Sequence, residues 1–259
     1  MERRDVRLRA EEALRTDGKL EPLSSGFYAV TGKNHTFNTD TILLADYSMP
    51  RPGETCADFG TGCGTIPLLW CARSAPQRVY AVELQEEACE LARSSARFNG
   101  LENRIEIVQE DIRLLKDNRS IPRSLDLIAC NPPYQPDGSG QHSTQESRRI
   151  ARHEVACSFS EIAASAGALL RWGGRFFFCL RPARLCDAIP ALRTAGLEPK
   201  RLRFVQQRAD KAPFLFLMQA NRGGRPGLSV QPALLVESES GGWSEEMLRI
   251  YGDYKEGRT

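Results

Sequence analysis

The residues best suited to chemistry are Asn131-Pro132-Pro133-Tyr134, which follow the apolar run Leu125-Asp126-Leu127-Ile128-Ala129-Cys130. Two consecutive prolines donate no backbone hydrogen bond and hold the chain in an extended, stiff turn, so a strand ending at Cys130 stops there. It stops with a carboxamide on one side and an aromatic ring on the other. Such a frame suits a planar molecule bearing an amino group. The Asn131 oxygen and a proline carbonyl can accept from the two N–H bonds while Tyr134 stacks on the ring. Asn-Pro is also a common turn starter, so the tetrapeptide takes its meaning from what precedes it.

An earlier strand, Thr55–Phe59, ends in Asp58-Phe59-Gly60-Thr61-Gly62-Cys63-Gly64 and opens into a helix. Open α/β sheets bind ligands at that place: glycines let the backbone pass close to a cofactor, and the helix N-terminus faces its polar part. The plain alternative is a tight turn with no ligand. A dinucleotide fingerprint is excluded, because the position where Gly-x-Gly-x-x-Gly requires its third glycine is Thr65. A second strand ends in Glu83, placed to accept from ribose hydroxyls, and a third ends in Glu110-Asp111, placed to accept from an adenine amino group. Each acid alone is an ordinary solvated strand end. Together they outline a nucleoside slot, and the fourth strand delivers Asn131–Tyr134 beside it.

The elements that must hold these residues alternate from residue 54 onward. Strands are expected at Thr55–Phe59, Arg78–Val82, Arg104–Gln109, Leu125–Cys130, Arg175–Leu180, Leu202–Gln206 and Phe214–Gln219. Between them lie a helix near Thr65–Arg73 and one carrying Leu84, Ala88, Leu91, Ser95 and Phe98 on one face, stopped by Asn99-Gly100. A third helix is opened by the capping box Ser158–Glu161 and ended by Trp172-Gly173-Gly174. A fourth spans Leu185–Ala195. The last two strands are joined by a loop alone, so they can pair antiparallel. This predicts an α/β, Rossmann-like, doubly wound and mostly parallel seven-stranded sheet with one antiparallel strand near an edge. Residues 1–50 read as a charged arm, a hairpin from Gly26–Val30 and Thr36–Asn38, and a helix starting near Thr41, capped by Thr39 or Asp40. Residues 51–225 form the core domain, and 226–259 an extension with a short helix capped by Ser244.

The chain has 259 residues, 41% hydrophobic and 26% charged, with no apolar run of membrane-spanning length. Its start, Met1-Glu2-Arg3-Arg4-Asp5, lacks the apolar core of a signal peptide, which makes the protein cytoplasmic in expectation. Eight scattered cysteines without a Cys-x-x-Cys pair read as small core residues in a reducing compartment, with no metal site. A net charge of +2 conceals an asymmetry: residues 148–225 carry 15 Lys and Arg against 5 Asp and Glu, and the remainder 20 against 28. A basic C-terminal half suits a polyanion such as nucleic acid, and it also suits an arginine-rich surface with no partner. The polar stretch Gln135–His153 is too long for a simple connection and ends in Arg148, Arg149, Arg152 and His153, candidates for RNA phosphates. His153 paired with Glu154 in a packed corner is the alternative. Arg208, Lys211 and the run Lys200-Arg201-Leu202-Arg203 are further candidates.

Several segments together carry a family resemblance: Phe37-Asn38-Thr39-Asp40 with Leu43-Leu44-Ala45-Asp46, the glycine turn, Ala81-Val82-Glu83 and Asn99-Gly100-Leu101. The others are Asn131–Tyr134, Ala151-Arg152-His153-Glu154, Leu169–Arg175 and Met247–Tyr251. On these the chain resembles class I S-adenosylmethionine-dependent methyltransferases of the Asn-Pro-Pro-Tyr subgroup, and is similar to the bacterial valine-tRNA adenine-37 N6-methyltransferase family. The resemblance implies the class I methyltransferase fold and S-adenosylmethionine as cofactor. It implies that Asp58, Gly60, Thr61, Gly62 and Gly64 surround the methionine part, with Asp40 approaching it, and that Glu83 holds the ribose and Asp111 the adenine. Asn131 would touch both cofactor and substrate, Pro132 and Pro133 would frame it, and Tyr134 would stack on an extruded base. The implied reaction is N6-methylation of an adenine in tRNA, in the anticodon loop. Methylation of another RNA or DNA amine or of a protein glutamine amide has the same geometric need. A non-catalytic RNA-binding module is the reading from another class.

Overall fold

The computed structural model describes residues 18–132 and 157–252. Its centre is a nine-stranded sheet. The strands are β3 (Thr55–Phe59), β4 (Arg78–Glu83), β5 (Ile105–Gln109), β6 (Leu125–Cys130), β7 (Leu170–Leu180), β8 (Leu197–Gln206), β9 (Leu215–Arg222), β10 (Ser229–Val230) and β11 (Leu234–Leu235). The order is β10-β8-β9-β7-β6-β3-β4-β5, with β11 also on β8. Strands β3 to β7 pair in parallel, and β9 runs antiparallel between β7 and β8. The seven expected strands are present in the doubly wound arrangement. The two short strands β10 and β11 were not expected; each is only two residues long, too short for an alternating pattern.

Side-chain alternation sends the core to both faces. Leu127, Ala129, Phe177 and Cys179 belong to one apolar cluster, and Ile128, Cys130, Phe176 and Phe178 to the other. The first face is covered by helices α1 (Thr39–Tyr47) and α2 (Thr65–Arg73). The second is covered by α4 (Phe159–Leu169) and α5 (Leu185–Thr194), while α3 (Glu86–Phe98) backs β4 and β5. The predicted capping box holds: Ser158 N–H donates to Glu161 Oε2 at 2.8 Å, and Glu161 N–H to Ser158 Oγ at 3.3 Å. Six of the eight cysteines are buried, Cys157 is half-buried and Cys186 exposed, and all are free.

Four boundary expectations fail for physical reasons. The hairpin pairs β1 (Lys19–Pro22) with β2 (Tyr28–Thr31), so residues 36–38 are not its second strand. Residue 28 is drawn inward instead: Tyr28 N–H donates to Asn99 Oδ1 at 3.0 Å, and Val30 N–H to Ser95 Oγ at 2.8 Å. Helix α1 begins at Thr39 because Asn38, rather than Thr39 or Asp40, is the cap; its Oδ1 accepts from Thr41 N–H at 3.0 Å. Such a cap contributes about 1 kcal/mol. Trp172-Gly173-Gly174 does not stop α4, which runs directly into β7. The three residues sit in an irregularity of that strand, where pairing passes from Leu125 with Leu170 to Leu127 with Arg175. Gly173 has φ +76°, and a side chain on Gly174 would meet the Leu125 carbonyl at 3.0 Å, so glycine serves a bulge here and not a helix end. Leu84 is 53% exposed and precedes α3 instead of joining its buried face.

The extension behaves as a strap. Helix α6 (Glu245–Tyr251), capped by Ser244, returns to α1: Arg249 pairs with Asp46 at 3.2 Å, and Tyr251 Oη donates to Thr39 Oγ1 at 3.0 Å. Of the expected arm over residues 1–20, residues 1–17 lie outside the described residues, and Lys19 and Leu20 belong instead to β1. Among the described residues no helix is long and apolar enough to cross a membrane.

Candidate functional site

Asp58, Glu83 and Asn131 all reach the C-terminal edge of the parallel strands. Registers fix their order: Asp58 pairs with Ala129 and Phe59 with Cys130, so the glycine turn leaves β3 directly beside Asn131. The turn takes three left-handed steps, Gly60 at φ +73°, Gly62 at +57° and Gly64 at +83°. L side chains disfavour that region by roughly 1–2 kcal/mol each. A Cβ on Gly60 or Gly62 would meet nothing within 4 Å, so these glycines border open space. Two backbone bonds anchor the turn: Gly60 N–H and Thr61 N–H both donate to the Val82 carbonyl at 2.9 Å.

The acids differ in how they are held. Glu83 is 7% exposed; its Oε2 accepts from Gly62 N–H at 3.0 Å, and Oε1 from the N–H groups of Leu84 and Gln85 at 2.9 and 3.0 Å. It thereby braces the glycine turn, a task that sequence reading did not assign. Asp58 is 1% exposed, and among the described residues neither of its oxygens has a hydrogen-bond partner. Burial pushes its carboxyl up to about 7, with Thr61 pulling the other way and the Glu83 charge adding to the rise. The Thr61 Oγ1 atom is likewise buried without a hydrogen bond of normal geometry. Asp40 is buried in the first turn of α1, near the same edge.

Asp111 sits where expected, at the end of β5, but Arg113 has claimed it. The guanidinium Nε lies 3.0 Å from both carboxylate oxygens, and Arg113 N–H donates to Oδ1 at 2.9 Å. That pairing holds the carboxyl below its ordinary value, against a smaller opposing effect of burial. Glu110 is likewise engaged, by Asn118 Nδ2 at 2.8 Å. An adenine amino group would have to share Asp111 with Arg113. Leu84, next to Glu83 and absent from the sequence-based site, is an exposed large apolar side chain at the same strand end. No sequence signal separated it from the helix, because its spacing to Ala88 and Leu91 fits the buried face.

Asn131 is held at both ends. Its Nδ2 donates to Thr41 Oγ1 on α1 at 3.1 Å, and its Oδ1 accepts from the Cys179 thiol on β7 at 3.1 Å. Pro132 is buried. Pro133, Tyr134, Arg148, Arg149, Arg152 and His153 lie outside the described residues. Arg208 and Lys211 are placed in the loop joining β8 to β9. Leu180 pairs with Phe216 and Val205 with Leu215, so that loop shares the edge occupied by Asn131. Both flank Asp210: Arg208 Nε lies 3.1 Å from one of its oxygens, and Lys211 Nζ 3.7 Å from the other. Much of the remaining basic excess is used internally. Arg175 pairs with Glu54, Arg203 with Glu246 and Arg193 with Glu198, while Arg201 lies over the Tyr47 ring at 5.1 Å.

A group bearing positive charge and a nucleoside fits this edge. The Asp58 carboxyl has no hydrogen bond of normal geometry among the described residues, the glycine turn leaves room for close approach, and Glu83 stands at the next strand end. These residues fit S-adenosylmethionine. Residues 34–182 match the methyltransferase small domain family. Among curated proteins the chain is similar to the tRNA1(Val) (adenine(37)-N6)-methyltransferase of Tolumonas auensis, 29% identical with 83% of this chain and 88% of that protein covered. It is equally similar to the protein of the same name from Porphyromonas gingivalis, 29% identical over 85% and 88%. A crystal structure of a predicted O-methyltransferase from Agrobacterium tumefaciens superposes with a TM-score of 0.65, covering 85% of this chain and 97% of that one. At 20% identity it speaks for the fold.

Proposed function

Because the chain belongs to the methyltransferase small domain family, we propose that it methylates the exocyclic N6 amine of an adenine in tRNA, using S-adenosylmethionine, at position 37 of a valine tRNA. The observation that carries this reading is the Asn131 carboxamide, fixed beside the glycine turn at the end of β6. The similarity to proteins named for adenine-37 methylation, extending over most of both chains, supports the choice of base and of RNA.

When bound, S-adenosylmethionine supplies an electrophilic methyl group on a sulfonium. The protein's task is then alignment. An adenine amino nitrogen is a poor nucleophile because its lone pair is delocalised into the ring. Accepting its two N–H bonds at Asn131 Oδ1 and the Pro132 carbonyl favours a pyramidal nitrogen with the lone pair directed outward. That interaction strengthens as the nitrogen loses conjugation, so it lowers the barrier and not merely the ground state. Asp58 in its charged form favours a cation in the adjoining slot, and Glu83 accepts from ribose hydroxyls. Tyr134 stacks on the extruded base, and Arg148, Arg149, Arg152, His153, Arg208 and Lys211 contact phosphates.

The test is methyl transfer from labelled S-adenosylmethionine into unmodified valine tRNA, followed by nucleoside analysis. N6-methyladenosine, abolished by changing adenine 37, is the expected result. Label appearing instead in a glutamine-containing peptide, or in another nucleoside, would overturn the proposed substrate.

A further inference from the structure

Asn131 can accept an amine N–H only if its oxygen, and not its nitrogen, faces the incoming group. A carboxamide has nearly the same shape either way round and opposite chemistry, so a half-turn about its last bond would set donor against donor. Its neighbours decide the matter by a chain of donors and acceptors. Thr41 N–H can only donate, and it donates to Asn38 at 3.0 Å, which fixes the Asn38 oxygen at that end of the cap. The same oxygen lies 3.1 Å from Thr41 Oγ1, so the threonine hydroxyl gives its proton there. Having donated, Thr41 Oγ1 can only accept from Asn131, which places Nδ2 on the α1 side at 3.1 Å. The oxygen is thereby turned toward β7, where the Cys179 thiol donates to it at 3.1 Å. Strand register brings that thiol into place: Cys130 pairs with Phe178, so the next residues along, Asn131 and Cys179, project to the same face.

We propose that Asn38, Thr41 and Cys179 are positioning residues which lock the Asn131 carboxamide with its oxygen available to the substrate amine. A carboxamide oxygen has two lone pairs, and the thiol uses one. The other remains for the amine. None of the three residues need touch the substrate. The inference rests on the reading of Asn131 as the amine acceptor, but its first consequence, the orientation of that side chain, does not depend on which substrate is methylated.

Two measurements test it. In steady-state kinetics with valine tRNA, Thr41→Val should lower kcat by about tenfold, the loss expected of one hydrogen bond, and Cys179→Ala by somewhat less, since a thiol is a weak donor. The KM for tRNA and the Kd for S-adenosylmethionine should stay within about twofold, and Thr41→Ser and Cys179→Ser should restore kcat. Losses shared equally by cofactor affinity, or no loss in either variant, would overturn the proposal. The second measurement needs no substrate. In nitrogen-15 spectra the Asn131 side-chain amide pair, assigned by its disappearance in Asn131→Ala, should move in Thr41→Val and Cys179→Ala and stay in place in Cys186→Ala, an exposed position on α5. An amide pair indifferent to both inner substitutions would refute the lock. Absence of transfer to tRNA by the unaltered protein would instead refute only the proposed substrate.

Discussion

Two neighbouring strand ends in this molecule are finished in opposite ways. At the end of β3, Asp58 is buried with no hydrogen-bond partner among the described residues, while at the end of β6 both polar atoms of Asn131 are matched. A buried carboxylate without a partner is costly, and burial has already moved its titration to about 7. A matched carboxamide is inexpensive and rigid before anything arrives. On the proposed roles a cation would complete the first strand end, whereas the second is oriented before substrate arrives. In those roles, affinity for the cofactor and geometry for the transfer fall to different residues, one strand apart.

The largest expected effect breaks the geometric half alone. Asn131→Ala should reduce kcat by roughly 10²–10³-fold, as loss of a preorganised catalytic hydrogen bond does, with cofactor Kd unchanged within about twofold by calorimetry. Equal losses in both would merge the two halves into one.

Asp58→Asn should do the converse, weakening the cofactor by about tenfold or more while sparing kcat at saturation. The same change carries a stability signature. With its folded value at about 7, above the ordinary 3.8, Asp58 destabilises the cofactor-free protein progressively as pH rises through that window. Asp58→Asn should therefore raise Tm more at pH 8 than at pH 5 by scanning calorimetry; a pH-independent difference would count against the shift. By the same linkage, cofactor affinity in the unaltered protein should rise with pH up to about 7, with proton release on binding.

Gly62→Ala comes next. It forces a residue with a Cβ to φ +57° and points that Cβ into the open slot, so a several-fold loss of cofactor affinity is expected from about 1–2 kcal/mol of strain. An unaltered Kd would mean that the turn relaxes at no cost. The smallest effect belongs to Arg208→Ala, which should weaken tRNA binding a few-fold and lower the salt slope by about one. A slope unchanged in filter binding would leave Arg208 as the partner of Asp210 alone.

The two halves were not equally legible. The glycine turn, Glu83 and Asn131 are contiguous motifs at strand ends, and local pattern sufficed to place them. The parallel core was legible for the same reason, since each strand of five or six residues is marked by its own apolar run. What escaped were relations between distant residues. Cys179 reads as one more small apolar residue in Arg175–Leu180, and only the β6–β7 register makes it a neighbour of Asn131. Thr41 reads as a helix start, and its bond to Asn131 spans 90 residues. The claim of Arg113 on Asp111 is local, yet no pattern distinguishes an acid awaiting a ligand from one already paired. The bulge at Trp172–Gly174 was misread because Gly-Gly after a helix usually marks its end.

The strap formed by α6 has a consequence for the order in which the chain is made. Tyr251 reaches back 212 residues to Thr39, and Arg249 reaches 203 residues to Asp46, both on the helix that carries Thr41. Synthesis proceeds from the N-terminus and structure can gather as it emerges. The sheet through β9 can thus assemble while α1 still lacks its C-terminal clasp. A molecule truncated before α6 should therefore load cofactor better than it turns over, when its cofactor Kd and its kcat are compared with those of the full chain.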